Sequence, residues 1–340
     1  MTRKLAGMVA CLALVSAGCK GAGREAAVKV DTMQLAAFAP LPDVMASAAN
    51  PITEAKVDLG RRLYYETKLS AGNDMSCNSC HDLARYGADT GAVSIGHQGK
   101  KGTRNGQTVY NAAGHLAQFW DGRAPDVETQ ALGPILNPVE MGMPAAPAVI
   151  ARLRADANYR RWFAAAFPGE RDPVTYPNLG RAIGAFERKL VTPSRWDRFL
   201  RHEDTALTNA EKVGFNTFAT TGCASCHQGP YVGGGMYMKV GMVRPWPDTT
   251  DVGRMAVTHQ PGDRMMFKVP SLRNVEHTAP YFHNGAVRSL DTAVVWMARY
   301  QLGKELTTQQ VTEIVTWLRS LSGPLPMQYI ARPAVTPRAG

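Results

Sequence analysis

The chain of 340 residues is 45% hydrophobic and 19% charged, an ordinary globular balance with room for two domains of average size. No internal apolar run approaches the length of a transmembrane helix, and no clustered Lys/Arg stripe or nucleic-acid motif is present, so neither membrane spanning nor DNA or RNA binding is expected. The net charge of +10 and pI near 9.4 fit anionic surroundings, such as an acidic electron donor or lipid headgroups, or simply a basic surface.

Arg3 and Lys4 precede an apolar stretch from Leu5 to Val15 and then Ser16-Ala17-Gly18-Cys19, the layout of a signal peptide over residues 1–19. The small residues before Cys19 also resemble a lipoprotein cleavage box, which would make Cys19 an acylated first residue; plain soluble export is the alternative. One acyl chain anchors only weakly, so a lipidated form needs a second membrane contact. Residues 20–50, rich in Ala and Pro, read as a tether or extended arm.

The chain then carries one pattern twice. Leu59-Gly60-Arg61-Arg62-Leu63-Tyr64 and Val213-Gly214-Phe215-Asn216-Thr217-Phe218 each place an aromatic four residues after a Gly on a predicted helix. The second helix opens with Thr208-Asn209-Ala210-Glu211, a capping box, and ends near Gly222. This predicts an N-terminal domain over 51–204, a C-terminal domain over 205–330 and a tail over 331–340. Further helical patterns run from Pro147 to Ala166, over 178–190, and through Val311, Ile314, Val315, Leu318 and Leu321, where Gly323-Pro324 stops the last. Gly- and Pro-rich loops cover 85–107, 121–147 and 229–277, and no run of alternating strands is seen. The fold class is therefore mainly α, with long loops that carry function.

Of six cysteines, Cys11 and Cys19 fall in the signal segment. The other four form Cys77-Asn78-Ser79-Cys80-His81 and Cys223-Ala224-Ser225-Cys226-His227, leaving none for a structural disulfide. C-x-x-C-H is the c-type haem attachment motif: two thiols on one turn add to the haem vinyl groups, and the following His turns onto the iron. Cys77, Cys80, Cys223 and Cys226 are thus expected to hold two c-type haems, with His81 and His227 as proximal ligands. A zinc or thiol-redox site is the other reading of C-x-x-C, and the His after each pair weighs against it. The expected architecture is two cytochrome c-like domains, each with one covalent haem.

Beyond these motifs, Ser94-Ile95-Gly96-His97, Gly102-Thr103-Arg104-Asn105, Gln118-Phe119-Trp120-Asp121-Gly122-Arg123-Ala124, Val139-Glu140-Met141 and Thr278-Ala279-Pro280-Tyr281-Phe282-His283 resemble the bacterial dihaem cytochrome c peroxidases, in that family's order, from about residue 55 to 325. The resemblance implies a peroxidatic haem on His81, with His97 as a removable distal ligand, Glu140 as the distal carboxylate and Gln130 as a polar neighbour. It implies Trp120 between the haems, Met297 as the axial ligand of an electron-transfer haem on His227, and a calcium ion at Asn105, Thr278 and Pro280. The segment between His81 and His97 is a few residues shorter than the family's. The implied substrate is hydrogen peroxide, and the implied donor a small periplasmic cytochrome c or cupredoxin. The oligomeric state stays open between monomer and homodimer. Two rivals share the haem pair: a MauG-type enzyme, in which a Tyr replaces the axial Met and a partner protein is oxidised, and a purely electron-transferring cytochrome, which has no use for Glu140.

Overall fold

The computed structural model describes Thr2 and residues 27–334; the signal segment, Cys11 and Cys19 lie outside the described residues. The described chain is mainly helical. Its named strands, Tyr237–Lys239 and Met266–Lys268, form one antiparallel pair. Among the described residues, no helix is long and apolar enough to cross a membrane.

Two helix pairs organise two hydrophobic cores. In the first, Glu54–Tyr64 crosses Tyr176–Glu187, burying Leu59, Leu63, Ile183 and Phe186. In the second, Asn209–Thr221 crosses Thr308–Arg319, burying Phe215, Ile314, Trp317 and Leu318. The repeated glycines sit at the crossings. A Cβ at Gly60 would stand 1.9 Å from the Ala182 carbonyl oxygen, and one at Gly214 would stand 2.1 Å from that of Glu313. Only Gly permits so close a backbone approach. The paired aromatics anchor neighbouring segments: the Tyr64 hydroxyl donates to the His81 carbonyl at 2.7 Å, and Phe218 packs on Trp317 at 4.4 Å.

The capping box at Thr208 and Glu211 forms, and Gly222 ends that helix at φ 107°. The Pro147–Ala166 pattern is two helices, Ala146–Ala155 and Ala157–Ala166. Asp156 breaks it: its backbone is extended, its carboxylate caps the second helix at the Asn158 N–H, and Lys68 holds the same carboxylate at 2.7 Å.

Trp196 and Phe199, which the sequence reading places in the first unit, pack in the second core beside Phe38. The arm around Phe38 lies against both units. The Leu41 N–H donates to Asp197 at 2.7 Å, and the Met45 N–H to the Arg188 carbonyl at 3.0 Å. Near the other end, Ile330 joins the first core and Tyr329 stacks on Phe186.

Candidate active site

Each Cys-X-X-Cys-His segment is wound so that both sulfurs and the imidazole leave one turn. Cys77–Cys80 is a single helical turn set by Ser76, whose N–H donates to the Ser79 hydroxyl at 3.0 Å. The His81 N–H closes on the Cys77 carbonyl at 2.9 Å, and His227 repeats this on Cys223 at 3.0 Å. All four cysteines are free of disulfides. Burial pushes the Cys77 and Cys223 thiols up to about 12, so both rest as thiols.

Both turns open on one cavity of about 1060 Å³, beyond the roughly 300–1,000 Å³ of a usual small-molecule pocket. His81 Nδ1 lies 3.1 Å from the Gly87 carbonyl. With the proton on that nitrogen, Nε2 keeps its lone pair for iron. His227 Nδ1 is buried without a hydrogen-bond partner. Burial holds both imidazoles below the usual histidine range, His227 down to about 4; the backbone at Val232 and Pro270 opposes this without meeting hydrogen-bond geometry at Nδ1. Neutral imidazole is the form that ligates a metal. Thiols, imidazoles and cavity together fit a haem at each turn.

Glu140, Gln130, Trp120, Met297, Asn105, Thr278 and Pro280 all line this cavity. The Glu140 carboxyl is raised above the usual carboxylate range by burial, with Arg123 and the Asn137 hydrogen bond opposing. Asn137 donates to Glu140 Oε1 at 3.0 Å. Trp120 ties the two units together. Its indole N–H donates to the Asn105 carbonyl at 2.9 Å, its own carbonyl accepts from the Lys268 N–H at 2.8 Å, and its ring meets His283 edge-on at 6.4 Å. The Asn105 amide nitrogen donates to the Gly91 carbonyl at 3.0 Å, leaving its oxygen unengaged by that bond.

His97 stands differently: it is not on the cavity wall. Residues 94–102 double back through an Ile95–Lys101 bridge, with His97, Gln98 and Gly99 at the tip. The imidazole packs over Gly142, where a Cβ would stand 2.7 Å from the ring, and its Nδ1 is buried without a partner. The His97 N–H donates to the Glu140 carbonyl at 2.7 Å.

Met297 begins a short π-helical turn, Met297–Gln301, that continues the Leu290–Trp296 helix. Such turns recur at functional sites because the extra residue re-aims side chains. Met297 reaches the cavity wall, whereas the Tyr300 ring packs away from it, against Trp246 and Trp296 at 5.3 and 5.6 Å.

Sequence reasoning named Arg104, Asp121 and His283 only inside motifs and gave them no role. Arg104 clamps Asp251 of the second unit at 2.6 and 2.8 Å and also holds Asp121. His283 stacks on Phe267 at 4.3 Å, and its carbonyl accepts from the Asn105 N–H at 2.7 Å. Asp251 stands 147 residues from Arg104, a pairing that no local pattern discloses.

Two helical cores sharing one cavity, with a Cys-X-X-Cys-His turn on each side, define a dihaem protein. The family profile for di-haem cytochrome c peroxidase matches residues 54–205. The chain is 42% identical to the cytochrome c551 peroxidase of Pseudomonas aeruginosa over 310 residues, 88% of this chain and 89% of that protein. It is also 42% identical to the cytochrome c551 peroxidase of Nitrosomonas europaea over 296 residues, 86% of each chain. A solved MauG-like protein associated with microbial copper homeostasis superposes with a TM-score of 0.73 at 30% identity, covering 86% of this chain and 95% of that one. The chain belongs to the di-haem cytochrome c peroxidase family.

Proposed function

We propose that this protein is a periplasmic dihaem cytochrome c peroxidase that reduces hydrogen peroxide to two waters, with two electrons drawn from a small cytochrome c or cupredoxin and two protons from solvent. The observation that carries this reading is the single cavity that joins both Cys-X-X-Cys-His turns, with Glu140 on its wall and Trp120 bonded to both units. When bound, the two haems supply an iron that takes peroxide and a second site that stores an electron.

The protein's own groups do the rest. Cys77 and Cys80 fix the haem on His81; Cys223 and Cys226 fix the one on His227. Glu140 moves a proton from one peroxide oxygen to the other, and its raised carboxyl suits that exchange. Asn137 holds Oε1, and Oε2 is free of that bond to take and return the proton. Gln130 supplies a polar neighbour on the same wall. His97 is the removable ligand, carried at the tip of the 94–102 loop. Met297 ligates the second iron, where a thioether raises the potential, and Trp120 passes electrons between the units. Asn105, with Thr278 and Pro280, holds a calcium ion through oxygen atoms.

A MauG-type oxidation of a partner protein needs a Tyr in place of the axial Met, and Tyr300 faces Trp246 and Trp296 instead of the cavity. The export signal and the acylation of Cys19 belong to this proposal as well. Steady-state turnover with peroxide and a reduced donor tests the activity. Turnover by the half-reduced, calcium-loaded protein is expected; its absence overturns the assignment.

A further inference from the structure

The wall of the cavity carries a buried cation that no acidic side chain among the described residues contacts. Lys268, on the second short strand, is 2% exposed and lines the cavity. Its ammonium has three hydrogens. One goes to the Ala117 carbonyl at 2.8 Å and one toward His115 Nδ1 at 3.4 Å. No carboxylate takes the third: the nearby Asp121 is held by Arg104 and Arg123 instead. A buried amine completed only by a carbonyl and an imidazole is costly unless an anion joins it. Burial pulls the Lys268 amine down to about 8, with Asp121 opposing, and a further anion would favour the charged form.

Haem brings such anions in its propionate side chains. Lys268 lines the same cavity as His227. It lies two residues before Pro270, whose backbone borders His227. The His115 ring sits over Gly234 in the loop after His227, where a Cβ would stand 2.5 Å from the ring, and it meets Tyr231 edge-on at 5.4 Å.

We propose that Lys268 is the counter-ion of a propionate on the haem held by His227, and that His115 positions its amine. This assignment rests on the reading of His227 as an iron ligand. Its consequence is electrostatic. A propionate left unneutralised favours the more positive ferric iron, so loss of the Lys268 charge lowers the reduction potential of that haem.

The test is a redox titration of purified holoprotein, with the two haems followed separately by their spectra and haem content counted in every variant. Lys268→Met is expected to lower the midpoint of the His227 haem by at least 59 mV, a tenfold change in its reduction equilibrium. Lys268→Arg should restore it. His115→Phe, which keeps the amine but loosens it, should shift the potential the same way by less, and it carries the test if Lys268→Met does not assemble. An unchanged midpoint in variants that hold both haems overturns the proposal, as does a shift confined to the His81 haem. Absence of haem from Cys223 and Cys226 in the native protein would instead defeat the underlying reading of His227.

Discussion

The backbone N–H of His97 donates to the carbonyl of Glu140 at 2.7 Å, so the residue proposed to leave the iron is tied to the residue proposed to move the proton. The 94–102 loop also rests on the 137–142 turn through Lys100, whose amine donates to the Pro138 carbonyl at 3.2 Å. The loop that carries His97 and the turn that carries Glu140 are therefore joined at two points.

Gly96 is where that coupling can be broken. A Cβ there would stand 2.0 Å from the Val139 carbonyl oxygen and 2.6 Å from that of Glu140. Gly96→Ala should push the loop off the turn and lower kcat/KM for peroxide by tenfold or more, with haem content and the donor's reduction of the His227 haem unchanged. Steady-state kinetics beside a haem count checks this; normal kcat/KM would show the contact to be idle.

Removing Glu140, the proposed proton carrier, should slow O–O cleavage more than peroxide binding. Glu140→Gln keeps the Asn137 contact and the side-chain volume, and a general acid–base group contributes roughly 10²–10⁴-fold. Stopped-flow mixing with peroxide is expected to show a fall in that range. A loss below threefold would place the proton transfer elsewhere.

The axial ligand is open to a paired comparison. Met297→Gln should lower the potential of the His227 haem, because a thioether raises it. Tyr300→Phe should leave that potential in place, since its ring contacts Trp246 and Trp296. Potentiometry that moved with Tyr300 and not with Met297 would favour the MauG-type reading.

Glu187, buried at the cavity wall, carries a pH signature of its own. Burial first, then Glu128, pushes its carboxyl from the ordinary 4.5 up to about 8, with Arg188 opposing. Between those values the folded protein holds a proton that the unfolded chain has released, so stability falls as pH rises from about 4.5 to 8 and levels off above. Glu187→Gln should remove that part of the slope, of the order of several kcal/mol, leaving a variant more stable than the native protein at pH 8. Thermal unfolding across this range checks it, and parallel curves for the two proteins would refute it.

Local signals were legible because their causes are local. The two haem turns, the Thr208 cap and the paired helices at Gly60 and Gly214 each rest on a few neighbouring residues. The break at Asp156 was not legible, because one acid in an amphipathic run looks like a solvated face until Lys68 is brought against it. Phe38 and Trp196 share a core across 158 residues of chain, so composition left the first in a tether or arm, and the repeated pattern, starting the second domain at residue 205, left Trp196 outside it. Glu140 and Met297 came from resemblance to a family, since a loop acid and a Met have no pattern of their own. Lys268 and His115 meet across 153 residues, and nothing short of the folded chain brings them together.

The proposed inequality of the two haems is tested most directly by adding hydrogen peroxide to the half-reduced holoprotein and following both haems. The haem on His227 should be the one reduced at the start. One peroxide should be consumed with loss of that electron and of a second from the haem on His81, and His97→Ala should make the fully oxidised protein bind peroxide without prior reduction. Two haems reduced at a single potential, or a half-reduced protein inert to peroxide, would contradict the division of labour between His81 and His227.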